Sequence, residues 1–459
     1  MKKNTIKVIL SIVVVLGLVL GIWFAVGRPP AEQQVEEQPK AGEPAPEKNI
    51  VFWHHESPEH RVAAFQKLID LFTKEHPNVT MKQEIVSWGE TWIKTIAAIE
   101  AGNPPDFQFG IPDLVMTKYR ADAIMPVTDL VKEIDGRYDY FEIAKNMFYH
   151  EGEFWGVPIM TMVCGFAYRP SLLEKYLGTT DPPETWDEML EYARKINEAG
   201  GGQVFGIGLA GGRNLFSCQQ AYMFLSSAGG RFFDEKGNVI FNSPETIRFL
   251  EAYKELFEYS PPGTEAWMWG EMEMNLAAGV FAMAPYFPAI QLRMHDLDSD
   301  DLGFTHMPLV APGAPRGGLQ YPNNISIFRK ADERGNTDTV KDFVRFIMQP
   351  DINVNLTAGM EPGAFLPVTR AAAEADVYWN NEVINRFLDV NKTAIELLEH
   401  STLFGFEHGR WVNLGTGDIT GANVLSATLQ MVLTNQMTPE EAAAWGASEM
   451  EKMSIPITE

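Results

Sequence analysis

Cysteine is nearly absent from this chain of 459 residues: only Cys164 and Cys218 occur. Two are too few for a disulfide framework, which leaves either one bridge in an oxidising compartment or two buried free thiols. Cationic residues are also scarce. Only 37 Lys and Arg face 61 Asp and Glu, a formal net charge of −24. Such a surface repels phosphate backbones and anionic lipid, which argues against nucleic acid as a partner and fits a neutral or a cationic small ligand. No GxxxxGK[ST] run is present, so a P-loop NTPase is excluded. His55 and His60 do not form HExxH, and no Cys–His cluster has zinc-site spacing. The run Asp296–Asp301 lacks the sixth-position Gly and twelfth-position Glu of a calcium loop and reads as a solvated acidic turn. No metal and no cofactor is expected. Nothing singles out a carboxylate pair suited to glycoside hydrolysis among so many acids.

Long apolar runs are equally rare, with one exception. Lys2, Lys3 and Lys7 precede an uncharged run from Val8 to Val26, long enough to span a bilayer with its amino terminus inside. Residues 1–27 therefore read as a signal peptide or a retained membrane anchor. The length of the run and the weak cleavage site at Ala25-Val26-Gly27 favour the anchor. No cysteine lies near its end to take a lipid. Residues 28–48, rich in Pro, Glu and Gln, read as a disordered linker.

Asn49 to His55 then reads as a buried strand. Ser57 as cap, Pro58 at the first position and the spacing of Ala64, Phe65, Leu68, Ile69 and Phe72 give a helix that Pro77 ends. Val79–Val86 is a second strand and Ser87–Ala101 a second helix. Gly102, Pro104 and Pro105 forbid its continuation, Asp106–Phe109 is a third strand, and Gly110–Asp113 is the loop after it. This alternation predicts a parallel α/β sheet. Ligands of open α/β sheets sit outside the carboxyl ends of strands. That rule selects Trp53, His54 and His55 after the first strand, Trp88 after the second and Asp113 after the third.

The stretch Gly102-Asn103-Pro104-Pro105-Asp106, followed by a strand and a polar loop, resembles the extracellular solute-binding proteins of bacterial ABC importers. The nearest class is the maltose-binding-protein-like carbohydrate receptors. Further matches follow in order: Ile124–Val131, Gly152–Tyr168, the P-x-T-W-x-E run at Pro183–Glu188 with Thr185 and Glu188 as a capping box, Gln219–Asn242, Asn275–Met283, Gly317–Phe328 and Gly363–Pro367. Together they span about residues 49–453. The resemblance implies an α/β, two-lobe periplasmic-binding-protein fold (type II-like) with three hinge crossings. Lobe 1 would comprise 49–160 and 311–367, and lobe 2 would comprise 161–310 and 368–459.

It also implies a monomeric extracytoplasmic receptor, not an enzyme, that captures a carbohydrate and hands it to permease subunits, tethered through residues 8–26. A sugar needs aromatic platforms for its C–H faces and planar polar groups for its hydroxyls. Candidates in lobe 1 are Trp53, His54, Trp88, Asp113, Tyr321 and Asn323. Candidates in lobe 2 are Tyr222, Trp269, Tyr286 and Trp411, with Gln219, Gln220 and Trp267 as weaker ones. Core packing is the competing reading for each Trp, a helix cap for Asp113, and turn chemistry for Pro322-Asn323-Asn324. The chain departs from the maltose receptor at Gly110, where an aromatic is expected, and at Met162 or Val163, where a carboxylate is. A polyamine or other cationic solute is the alternative ligand, and it requires several cleft carboxylates. A secreted glycoside-active enzyme is the second alternative.

Overall fold

Three parallel strands open the described part of the chain, residues 46–314 and 316–457 of a computed structural model. They are β1 (Lys48–His54), β2 (Val79–Ile85) and β3 (Phe107–Gly110). β1 pairs with β2 from Lys48↔Val79 to His54↔Ile85, and with β3 through Phe52↔Phe107 and Trp53↔Gln108. Alternation along β1 sends Ile50, Phe52 and His54 beneath the helix Glu59–Glu75. That helix contributes Phe65, Leu68, Ile69 and Phe72, each worth roughly 1.5–3 kcal/mol by burial. Its cap lies one residue later than the sequence reading placed it. Pro58, with extended backbone (φ −57°, ψ 134°), occupies the N-cap, and no side chain caps the first turn.

The expected anchor, and the linker up to residue 45, lie outside the described residues. Lys48, read from sequence as the last linker residue, already belongs to β1. Among the described residues no helix is long and apolar enough to cross a membrane.

A hairpin follows, β4 (Tyr149–His150) and β5 (Glu153–Phe154), turned by Glu151 and Gly152 at φ 51° and 83°. The remaining strands are β6 (Val157–Tyr168), β7 (Phe205–Ile207), β8 (Phe281–Tyr286), β9 (Gly303–Thr305) and β10 (Leu319–Ile327). The sheet order is β2-β1-β3-β10-β6-β8-β7, with β9 also on β6. β6 joins two half-sheets. Residues 157–164 pair antiparallel with β10, and residues 165–168 pair with β8 and β9. Partners therefore change between Cys164 and Gly165. A Cβ on Gly165 would lie 2.6 Å from Phe304 Cζ and 2.7 Å from the Thr305 carbonyl oxygen, so the close approach requires glycine. Opposite Asn323 and Asn324 the register shifts to leave Ile159 unpaired, a bulge beside Pro158, which has no N–H to give.

The chain passes between the halves along β6, between β9 and β10, and again after Leu366, whose N–H bonds the Thr161 carbonyl at 2.7 Å. This is a mixed α/β, two-lobe architecture. The helices Arg370–Ala373 and Asp376–Trp379 pack on the helix Pro350–Leu356 of the first half. Tyr378 and Ile384 bury there with Val354 and Ala358. Likewise the helix Thr416–Gly421 lies on the helix Pro112–Arg120, and a Cβ on Gly417 would meet the Asp113 carbonyl at 2.4 Å. Both segments sit beyond the 367/368 division drawn from sequence. Thr185 caps the helix Trp186–Gly200, accepting the Glu188 N–H at 3.3 Å, but Glu188 returns its bond to Glu184 rather than to Thr185. Cys164 and Cys218 are free and buried. The acidic turn has structural partners: Asp298 and Asp300 hold Arg386, and Asp301 holds Arg169.

Candidate functional site

A cavity of about 680 Å³ opens between the two halves of the sheet. Its first wall carries residues just past the carboxyl ends of β1 to β3 (His55 to Arg61, Trp88, Ile111), with Tyr321 and Asn323 from β10 and Glu361 from the loop before Leu366. Its second wall is built by the helices Leu215–Ser227, Trp269–Ala277 and Ile290–Asp296, with Tyr286 and Phe287 at the end of β8.

The first wall is held by a charged cluster. Glu56 is the second residue past β1, and the first turn of the next helix folds Arg61 back over it. Arg61 Nη1 bonds Glu56 Oε2 at 2.6 Å, and its Nε bonds Glu361 Oε2 at 2.5 Å. The guanidinium carbon lies 4.9 Å from the Phe365 ring centroid, a cation–π contact. His60 Nε2 reaches the same Glu361 oxygen at 2.7 Å. Burial raises the Glu56 pKa despite Arg61. Burial works the same way on Glu361, but there Arg61 and His60 together outweigh it and the pKa is lowered. Glu361 accepts hydrogen bonds from both Arg61 and His60, whereas Glu56 bonds Arg61 alone.

His55 Nδ1 lies 2.7 Å from the Val86 carbonyl, which only accepts, so this nitrogen carries the proton. Burial pushes the ring down to about 3, leaving it neutral with Nε2 as an acceptor. Its centroid is 4.2 Å from that of Trp88. Neither His55 Nε2 nor Asn323 Oδ1 has a hydrogen-bond partner among the described residues. Both residues are 2 % exposed and line the cavity.

The second wall is more aromatic and more loosely charged. Trp269 Nε1 donates to Gln219 Oε1 at 2.8 Å, and Tyr286 OH donates to the Trp269 carbonyl at 2.8 Å. Glu273 Oε2 lies 3.3 Å from the same hydroxyl, and Arg293 Nε bonds Glu273 Oε1 at 3.0 Å. Burial raises the Glu273 pKa, and the charge of Glu361 on the other wall adds to the shift.

Of the ten residues selected from sequence, the structure brings Trp88, Trp269, Tyr286, Tyr321 and Asn323 together on this cavity, with Gln219 from the weaker set and His55 from the strand-end rule. The other five do not line it. β1 runs to His54, so Trp53 and His54 are still strand residues and the wall begins at His55. Trp53 turns to Glu84 on β2 at 2.9 Å, and His54 packs on Phe65 at 4.8 Å between centroids. Asp113, in the first turn of the helix Pro112–Arg120, is fully buried behind Tyr321, whose hydroxyl donates to its Oδ2 at 3.0 Å. Burial pushes its carboxyl up to about 6. Tyr222 is buried against Phe404. Trp411 is buried, stacked on His150 and donating to the Met147 carbonyl at 2.8 Å.

Trp267 leans on Phe281, away from the cavity, while Met162 lines it as an apolar side chain. Lys118, behind the first wall, is fully buried and brought down to about 7 by burial. Glu56, His60, Arg61, Glu273, Arg293, Asp296 and Glu361 were not selected from sequence. The first three were within reach of it: a strand read as ending at His55 leads directly into Glu56, and His60 and Arg61 follow at the start of the next helix.

The family model for bacterial extracellular solute-binding proteins matches residues 57–354. YcjN of Escherichia coli (strain K12), named as an ABC transporter periplasmic-binding protein, is 27% identical over 391 residues, covering 84% of this chain and 87% of its own. A maltose-bound MalE3 from T. maritima superposes with a TM-score of 0.75 at 19% identity, over 88% of this chain and 99% of that one. A solute-binding protein from Thermotoga lettingae TMO, bound with alpha-D-tagatose, gives 0.72 at 19% identity over 88% and 99%. At these identities the solved structures speak for the fold alone.

Proposed function

The chain belongs to the bacterial extracellular solute-binding proteins, a family of extracytoplasmic receptors rather than enzymes, and from that membership we propose that it captures a carbohydrate, an oligosaccharide by the size of the cleft, and delivers it to an ABC permease. The observation that carries the reading is that both walls bring aromatic side chains to the cavity, Trp88 on one and Trp269 and Tyr286 on the other, beside polar groups that are already held in place. Stacking surfaces beside preformed hydrogen-bonding groups match the two faces of a pyranose.

Capture works by closure. A ligand touching both walls stabilises the closed pair of lobes by its differential affinity for that state. In this reading lobe 1 comprises 49–160 and 311–367, lobe 2 comprises 161–310 and 368–459, and β6 is one of the hinge crossings. The tether over residues 8–26 and the monomeric state belong to the proposal on the strength of the sequence alone.

The test is a thermal-shift screen of the full chain against mono- and oligosaccharides, polyamines and peptides. A carbohydrate at a hundredfold excess over its Kd adds roughly 2.7 kcal/mol of stability and raises the midpoint. At the same ligand concentration the shift falls to roughly a third in Trp269→Ala. A panel in which only peptides shift the midpoint would sink the reading.

A further inference from the structure

We propose that the ligand of this cleft carries a protonated amine, so that the substrate class is the amino sugars rather than neutral carbohydrates. This rests on the carbohydrate reading above and narrows it. The first observation is charge. Four carboxylates line the cavity (Glu56, Glu273, Asp296 and Glu361) against two arginines and the half-exposed His60. Each arginine is already engaged. Arg61 is clasped by Glu56 and Glu361, and Arg293 by Glu273. With those pairs made, the cavity lining still holds more acid than base, four carboxylates to two arginines, and the exposed Asp296 is open to an incoming cation.

The second observation is independent of charge. The two nine-tenths-buried polar atoms on this cavity that lack partners, His55 Nε2 and Asn323 Oδ1, are both acceptors. A cavity whose open valences are acceptors asks for donors, and an ammonium group supplies three with no acceptor of its own. The aromatic faces of Trp88 and Trp269 turn the choice from a simple polyamine to an aminated sugar ring, since a thin aliphatic chain leaves such platforms mostly uncovered.

The experiment is calorimetric titration of the full chain with matched pairs: glucosamine against glucose, galactosamine against galactose, and the chitosan disaccharide against cellobiose. The amine of at least one pair is expected to bind roughly tenfold or more tightly than its neutral partner, with an affinity that falls as salt is raised. In Glu273→Gln and in Asp296→Asn the ratio of amine affinity to neutral-partner affinity should shrink severalfold. A neutral partner that binds as tightly as its amine overturns this inference and leaves the receptor's carbohydrate function standing. Binding of spermidine with no response to any sugar overturns both.

Discussion

Each wall of the cleft sets an arginine on a glutamate, and the two pairs differ in nearly everything that governs their energy. The Arg61 side chain is 20% exposed and shared by two carboxylates that are themselves 4% and 6% exposed. Arg293 is 51% exposed and serves Glu273 alone. Water screens the second pair and hardly reaches the first. The first wall is thus a preset surface whose charges are locked before any ligand arrives. The second keeps its cation loose at the rim and relies on aromatic faces. A receptor that closes on its ligand gains from this asymmetry: one rigid template, and one wall that adapts.

The comparison breaks first at Arg61. Arg61→Met leaves Glu56 and Glu361 buried without their cation and is expected to cost about 3–5 kcal/mol, read as a lower urea midpoint. A loss below roughly 1 kcal/mol would mean the template is not preset.

The next test is pH. His55, brought down to about 3 in the folded protein, binds fewer protons there than in the unfolded chain, so its contribution is lost as pH falls below 6.5. Asp113, pushed up to about 6 from 3.8, does the reverse. The folded state holds the extra proton between those values, and stability falls as pH rises through them, by on the order of 3 kcal/mol. In the wild type the two slopes oppose each other. Asp113→Asn should therefore rise in stability more steeply than wild type between about pH 4 and 6, measured by denaturation at each pH.

The second wall is probed by Trp269→Ala. Ligand affinity should fall by about 2 kcal/mol, roughly thirtyfold, as for a buried aromatic anchor, with the larger change in binding than in stability. Smallest of all is Arg293→Gln, expected to shift stability by less than about 1 kcal/mol. If it matches Arg61→Met, the contrast between the walls is gone.

How much of this was legible in the sequence depends on range. The alternation of strands and helices from Asn49 to Phe109 follows from local periodicity and breakers, and the structure has β1, β2 and β3 within a residue or two of it. The family followed from short runs in a fixed order. The cavity was half legible. Trp88 and Tyr286 sit where a strand end alone puts them. Trp53 and His54 were selected as strand-end residues, but both lie within β1, and the wall begins only past its end, at His55. Trp411 lies in a Gly-rich polar loop that looked open, yet it is covered by Tyr119 and His150 from far earlier in the chain. Glu361 lies 300 residues from Arg61, and no periodicity links them. Charge partners of that separation are set by topology, which the sequence pattern does not display.

β6 carries a consequence for cooperativity. It supplies ladder partners to β10 along one stretch and to β8 and β9 along the next, so neither half-sheet is complete without it. A cut between Cys164 and Gly165 would leave two fragments, each with an exposed, truncated edge, rather than two foldable pieces. The lobes are units of motion without being units of folding. Melting should register as a single transition, and the amides of β6 should exchange with solvent only when the whole molecule opens.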